Sequence, residues 1–197
     1  SAPRTAGPAV PPAPPSPPWD PASYVVPVVE GKTRFQDLDI PPEILHAIAD
    51  LGFQYCTPIQ AGSLPATLQG RDMAGRAQTG TGKTAAFLIT VFARFLRNPD
   101  TGERRPGSAR ALVLAPTREL AMQIERDALA LGKYCGVRSV AVYGGEDMDR
   151  QRRKLAGPVD LLIATPGRLL DFHARHEIHL NRAEILIIDE ADRMLDM

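Results

Sequence analysis

Cysteine is nearly missing from this sequence: Cys56 and Cys135 are the only two in 197 residues, and they form no C-x-x-C pair. That excludes a disulfide-stapled scaffold and a cysteine zinc site, and it fits a reduced, cytoplasmic compartment. Neither sign of charge is in excess, since Lys plus Arg and Asp plus Glu both number 23. A protein that gripped nucleic acid by bulk charge would be more basic, so any polyanion site must be local. No apolar run approaches the roughly 20 residues that span a bilayer, and no membrane segment is expected. The first residues carry one arginine, Arg4, and no apolar core, so a secretory signal is not expected either.

Proline, by contrast, is abundant and crowded into one place, the run PPAPPSPP from Pro11 to Pro18. Proline fixes φ and removes a hydrogen-bond donor, so residues 1–22 read as a polyproline II-like or disordered tail. Residues 23–197 then form one domain, in which apolar runs of strand length alternate with longer amphipathic stretches. Strands are expected at Asp72–Arg76, Ala111–Ala115, Ser139–Tyr143, Asp160–Ala164 and Ile185–Ile188. Helices are expected at Pro42–Leu51, Ile59–Leu68, Lys83–Phe95, Arg118–Leu131, Asp149–Leu155 and Gly167–Arg175. The runs ALVLA, DLLIA and ILII are nearly all apolar, as strands covered on both faces are. The pattern predicts an α/β fold, a parallel β-sheet with helices on both faces. Chemistry is then expected in the loops at the carboxyl ends of the strands.

Behind the first expected strand stands Ala77-Gln78-Thr79-Gly80-Thr81-Gly82-Lys83-Thr84. It matches the phosphate-loop pattern G-x-x-x-x-G-K-[ST], except that Ala77 replaces the first glycine. Gly80 and Gly82 let backbone N–H groups turn in around phosphate oxygens, and the helix beginning near Lys83 adds its positive end. Lys83 can reach the β- and γ-phosphates of ATP, and the Thr84 hydroxyl can ligate Mg²⁺. The strand Ile185–Ile188 runs into Asp189-Glu190-Ala191-Asp192. There Asp189 is placed to hold the same Mg²⁺, and Glu190 to orient and deprotonate an attacking water. Lys83, Asp189 and Glu190 are therefore the catalytic candidates.

These two motifs together resemble the DEAD-box RNA helicase family, and further segments strengthen the resemblance. Gly52-Phe53-Gln54-Tyr55-Cys56-Thr57-Pro58-Ile59-Gln60, with Phe35 upstream, is similar to the family's adenine-reading segment. Pro116-Thr117-Arg118-Glu119-Leu120-Ala121, Gly144-Gly145 and Thr165-Pro166-Gly167-Arg168 are similar to its RNA-contacting segments. Cys56 stands where many members carry proline. The resemblance implies a RecA-like phosphate-loop domain, the first of two, in which Phe35 stacks on adenine and Gln60 pairs with its polar edge. Pro116, Thr117, Arg118, Gly144, Gly145, Thr165, Pro166, Gly167 and Arg168 would hold RNA through phosphates and sugars, without reading sequence. Asp192 would face the second domain.

The resemblance also implies a function: RNA-stimulated ATP hydrolysis coupled to local duplex separation, or an ATP-gated RNA clamp. A DNA-directed translocase is disfavoured by the adenine-reading segment. The stretches EGKTRFQDLDIPPEILHAIADLGFQYCTPIQ and DEADRMLDM most resemble bacterial degradosome-associated members. That implies a role in messenger RNA decay with an endoribonuclease partner. The chain stops five residues after Asp192, so a fragment is expected, short of the second domain and its arginine fingers. Two further patterns read as scaffold. Arg150, Arg152, Arg153 and Lys154 have acidic neighbours and suit a solvated helix face; His173, His176 and His179 straddle an expected helix end without cysteine support.

Overall fold

A computed structural model of the chain describes residues 19–76, 78 and 80–195. The proline run and the loop positions Ala77 and Thr79 lie outside the described residues. Four parallel strands form one sheet: β1 (Ala109–Leu114), β2 (Ser139–Val142), β3 (Val159–Ala164) and β4 (Ile185–Ile188), in the order β2-β3-β1-β4. The chain returns to each next strand through α1 (Pro42–Asp50), α2 (Pro58–Thr67), α3 (Lys83–Arg97), α4 (Arg118–Leu131), α5 (Met148–Lys154) and α6 (Pro166–Ala174), and it ends in α7 (Ala191–Leu195).

Strand periodicity decides which side chain serves which layer. Successive residues point to opposite faces, so Leu161 and Ile163 of β3 join Ala111, Val113 and Ala141 in one core. Their neighbours Leu162 and Ala164 join Leu112, Val140 and Val142 in the other. The first core is closed by α1–α4 through Ile44, Ile48, Leu64, Phe92 and Ile124. The second is closed by Phe172 and Leu169 of α6, with Leu155 and Ile178. α3 has the sharpest two-sidedness, burying Leu88, Ile89, Val91, Phe92 and Phe95 along one stripe.

Two expectations fail at the sheet's β4 side. Residues Asp72–Arg76 do not form a strand; they are exposed and without regular structure. The segment Asp-Met-Ala-Gly-Arg has no β-branched residue, and its glycine weakens it as a strand, so local preference does little to pull it into pairing. It runs beside β4 across a groove of ≈ 270 Å³ lined by Met73, Gly75, Phe87 and Ile185–Asp189. β4 itself is not covered on both faces. Leu186 is 59% and Ile188 50% exposed on one face of β4, which among the described residues pairs with β1 at the sheet's edge. Element ends shift slightly elsewhere; β1 starts at Ala109 and α5 at Met148.

Trp19, grouped with the tail by composition, packs against the domain. The Trp19 ring stacks on His46 of α1 at 4.8 Å between centroids, and His46 stacks on Tyr134 at 3.7 Å. Val26 is buried, Arg34 and Tyr55 form an antiparallel bridge, and Phe35 inserts into the first core. This N-terminal strap delivers Phe35 to the start of α2, where the site begins.

Candidate nucleotide and RNA site

A cavity of ≈ 730 Å³ opens at the carboxyl ends of β1 and β4. It is bounded by Phe35, Gln60, the loop glycines Gly80 and Gly82, Lys83 and Thr84, and by Asp189 and Glu190 across from them. The structure thus brings together Gly80, Gly82, Lys83 and Thr84 of the phosphate loop, the adenine-reading segment and the acidic pair, while Gln78 and Thr81 do not line the cavity. Each arrives from a different element: α2 carries Gln60, the start of α3 carries Lys83 and Thr84, and the end of β4 carries Asp189.

Gln60 is 4% exposed and uses both ends of its carboxamide. Its Oε1 accepts from the Thr57 N–H at 2.9 Å, which caps α2, and its Nε2 donates to the Gly82 carbonyl at 3.0 Å. The residue expected to read adenine therefore also ties the start of α2 to the phosphate loop. Gly82 has φ +87, and a Cβ there would collide with Gln60 Nε2, so both space and backbone require glycine. The Thr57 hydroxyl, buried beside Gly82, faces the Gln60 N–H in the reciprocal capping box that opens α2. Phe35 is 1% exposed, so most of its ring is a core anchor while the remainder faces the cavity. Thr81 Oγ1 donates to the Gln78 carbonyl at 2.7 Å, closing the loop's turn.

The acidic pair is set in a low-dielectric corner. Burial pushes the Asp189 carboxyl above the ordinary carboxylate range, against the opposing pull of the Lys83 ammonium and of the Glu190 N–H that it accepts at 3.0 Å. Thr84 and Asp189 line the same cavity, and an oxygen pair of this kind suits Mg²⁺, which completes its shell with water and phosphate. Glu190 has φ 49, a left-handed conformation that costs a non-glycine residue about 1–3 kcal/mol. Its carboxylate Oε2 accepts from Arg193 Nη1 at 3.0 Å. Asp192 lies in the first turn of α7 and is exposed.

The other expected segments meet on the adjoining rim. Thr117 caps α4, its hydroxyl accepting from the Leu120 N–H at 3.2 Å. Pro116 precedes it behind β1. Arg118 Nη1 donates to the Gly145 carbonyl at 3.1 Å, and its guanidinium lies 5.4 Å from the Tyr143 ring centre. Gly145 takes φ +78, and Gly144 precedes it in open space. The Thr165 N–H donates to the Val142 carbonyl at 3.1 Å, and Pro166 and Gly167 begin α6. Arg168 donates from both terminal nitrogens to the Glu146 carbonyl at 3.2 Å. The ends of β1, β2 and β3 are thereby laced into one surface.

Away from the site, Arg152 pairs with Glu177 at 2.7 Å and with Asp149, and Arg150 lies 3.6 Å from Glu146. His173 Nδ1 sits 3.3 Å from the Ile178 carbonyl. Burial pushes the Cys56 thiol up to about 11 and the Cys135 thiol up to about 12, so neither ionises near neutral pH. Among the described residues no helix is long and apolar enough to cross a membrane. Sequence reasoning missed Arg193 and Asp127, which also line the cavity, as does Tyr55 of the adenine-reading segment. Burial raises the Asp127 carboxyl, opposed by Arg126. The three-residue spacing of Glu190 and Arg193 on a helix start was the available signal for that pair.

Residues 57–197 match the DEAD/DEAH box helicase family model. The chain is 57% identical over 169 residues to the ATP-dependent RNA helicase RhlB of Pseudomonas syringae pv. tomato, covering 85% of this chain and 43% of the relative. It is 50% identical over 166 residues to RhlB of Idiomarina loihiensis, covering 84% and 39%. Among solved structures, it is similar to a hypothetical ATP-dependent RNA helicase from Sulfolobus tokodaii, with TM-score 0.69, 37% identity, and 79% and 43% of the two chains covered. The yeast DEAD-box splicing factor Prp28 matches with TM-score 0.72 and 35% identity, over 80% and 38%. The chain spans less than half the length of these curated relatives, and its parallel sheet corresponds to a RecA-like domain of the solved helicases. Family model, relatives and fold agree: the chain belongs to the DEAD/DEAH box helicase family.

Proposed function

We propose that this chain is the ATP-binding and first RNA-contacting domain of an ATP-dependent RNA helicase, whose complete form couples ATP hydrolysis to local separation of RNA strands. The observation that carries the reading is the junction at the start of α4. Thr117 lines the nucleotide cavity, while Arg118, the next residue, is bonded to the Gly145 carbonyl on the other rim. One short segment thus borders both rims.

In this reading Phe35 and Gln60 hold adenine, while Gln78, Gly80, Thr81 and Gly82 wrap the phosphates with Ala77 and Thr79. Lys83 reaches the β- and γ-phosphates. Mg²⁺, held by Thr84 and Asp189, would supply neutralisation of the phosphate charge when bound. Glu190 takes a proton from the attacking water. Pro116, Thr117, Arg118, Gly144, Gly145, Thr165, Pro166, Gly167 and Arg168 grip one RNA strand by its backbone. A second RecA-like domain in cis, faced by Asp192, would contribute the arginines that raise the rate by about 10³ to 10⁵. From the resemblance of residues 30–60 and 189–197 to degradosome-associated helicases, we further propose a cytoplasmic role in bacterial messenger RNA decay with an endoribonuclease as partner; the relatives named above are ATP-dependent RNA helicases.

The test is RNA-stimulated ATP hydrolysis by this chain and by the full-length protein. Stimulation only in the full-length protein supports a site shared between two domains. High RNA-stimulated turnover by this chain alone contradicts it, and ATP binding without hydrolysis in either form overturns the enzyme reading. Glu190→Gln in the full-length protein is expected to retain ATP and lose turnover.

A further inference from the structure

Glu190, just before α7, sits in the left-handed region, and its carboxylate is met by Arg193 three residues later, at 3.0 Å. No other side chain among the described residues bonds that carboxylate. The Glu190 side chain is 14% exposed and that of Arg193 64%. The acid is thus enclosed, and a cation reaching in from solvent holds it. Both residues line the nucleotide cavity. The second acid, Asp189, lies in the field of a different cation, Lys83, which the phosphates will claim. Arg193 is the cation left to Glu190 when nucleotide is bound.

A glutamate side chain has three rotatable bonds, and a base works only when its oxygen sits within hydrogen-bond reach of the water it deprotonates. With Oε2 occupied by Arg193, rotation of the carboxylate is restrained and Oε1 is left free to accept. We propose that Arg193 is a positioning residue for ATP hydrolysis, holding Glu190 so that Oε1 faces the attacking water; this rests on the function proposed above. In the step it serves, the water oxygen bonds to the γ-phosphorus and the bond from that phosphorus to the β–γ bridging oxygen breaks. The water proton passes to Glu190, and ADP leaves with the bridging electron pair. Arg193 exchanges no proton in this step; it sets where Glu190 waits.

The experiment is a double-mutant cycle in the full-length protein, read as RNA-stimulated kcat and KM for ATP. Arg193→Ala is expected to lower kcat about tenfold while KM changes less than about twofold. Arg193→Lys, which keeps a cation at the same helical spacing, should recover most of the loss. In a Glu190→Gln background, Arg193→Ala should cause no further fall in the residual single-turnover rate. Equal losses in both backgrounds, a change confined to KM, or no rescue by lysine would overturn the proposal. An active parent whose kcat is untouched by Arg193→Ala overturns the inference alone. A parent that hydrolyses no ATP overturns the proposed function and this role together. Since Arg193 is mostly exposed, its variants should melt with the parent; should the alanine form fail to fold, Arg193→Lys and Arg193→Gln carry the comparison.

Discussion

The two halves of the sheet's carboxyl edge are built to different tolerances. Over β1, β2 and β3 the rim is laced by Arg118 to Gly145, Arg168 to Glu146 and Thr165 to Val142, above a core with Leu162, Ala164 and Phe172 fully buried. Over β4 the strand is half-exposed and the segment before the phosphate loop is unpaired. The acidic pair there includes one desolvated carboxyl and one left-handed backbone. The β1–β3 half, proposed above to face RNA, is held by its own hydrogen bonds. The β4 half, proposed to face the nucleotide, carries a desolvated carboxyl and a left-handed residue, features that gather at functional sites.

The widest gap between the halves should appear in stability. Phe172→Ala removes a fully buried ring beneath β2 and β3 and is expected to cost about 3–5 kcal/mol. Ile188→Ala on the exposed strand should cost less than about 1 kcal/mol. Urea unfolding of both variants measures the difference, and equal costs would erase the distinction. Next in size is a glycine pair. Gly82→Ala meets Gln60 at φ +87, whereas a Cβ on Gly144 meets nothing. ATP affinity should fall by at least about tenfold for the first and stay unchanged for the second, read by calorimetry.

A smaller effect follows from Asp189. Its folded-state pKa is raised above the ordinary value of 3.8, so the folded protein binds that proton more tightly than the unfolded chain. The associated stabilisation is present below the ordinary value and is lost as pH rises through the raised one. Asp189→Asn should therefore melt higher than the parent at neutral pH, and the two should converge below about pH 3.8, while the variant loses Mg²⁺-dependent ATP binding. Smallest of all, Arg118→Ala should lower the slope of log RNA affinity against log salt by about one in the full-length protein. An unchanged slope would remove Arg118 from the phosphate contacts.

Much of this was legible in residues alone. Strands such as Asp160-Leu161-Leu162-Ile163-Ala164 declare themselves, because burial on both faces leaves no room for polar alternation. The phosphate loop and acidic pair are legible because phosphate chemistry demands particular residue types at particular spacings. The failed strand at Asp72–Arg76 shows the limit. Its place follows from the strand–helix alternation, yet pairing depends on neighbouring strands more than on the segment's own composition.

What the sequence by itself determined is most of the alternation of elements, the doubly covered strands β1 and β3 and the local chemistry of each loop, since these depend on side-chain type and on periods of 2 and 3.6 residues. Only the tertiary structure decided that Gln60 bonds the phosphate loop, that Arg118 and Arg168 tie into the Gly145–Glu146 turn, and that Asp189 is desolvated while Arg193 holds Glu190. Most of those partners lie far apart along the chain. Even where they are near, as at Glu190 and Arg193, an unusual backbone angle and the burial around it set the contact, and neither is written in a local pattern.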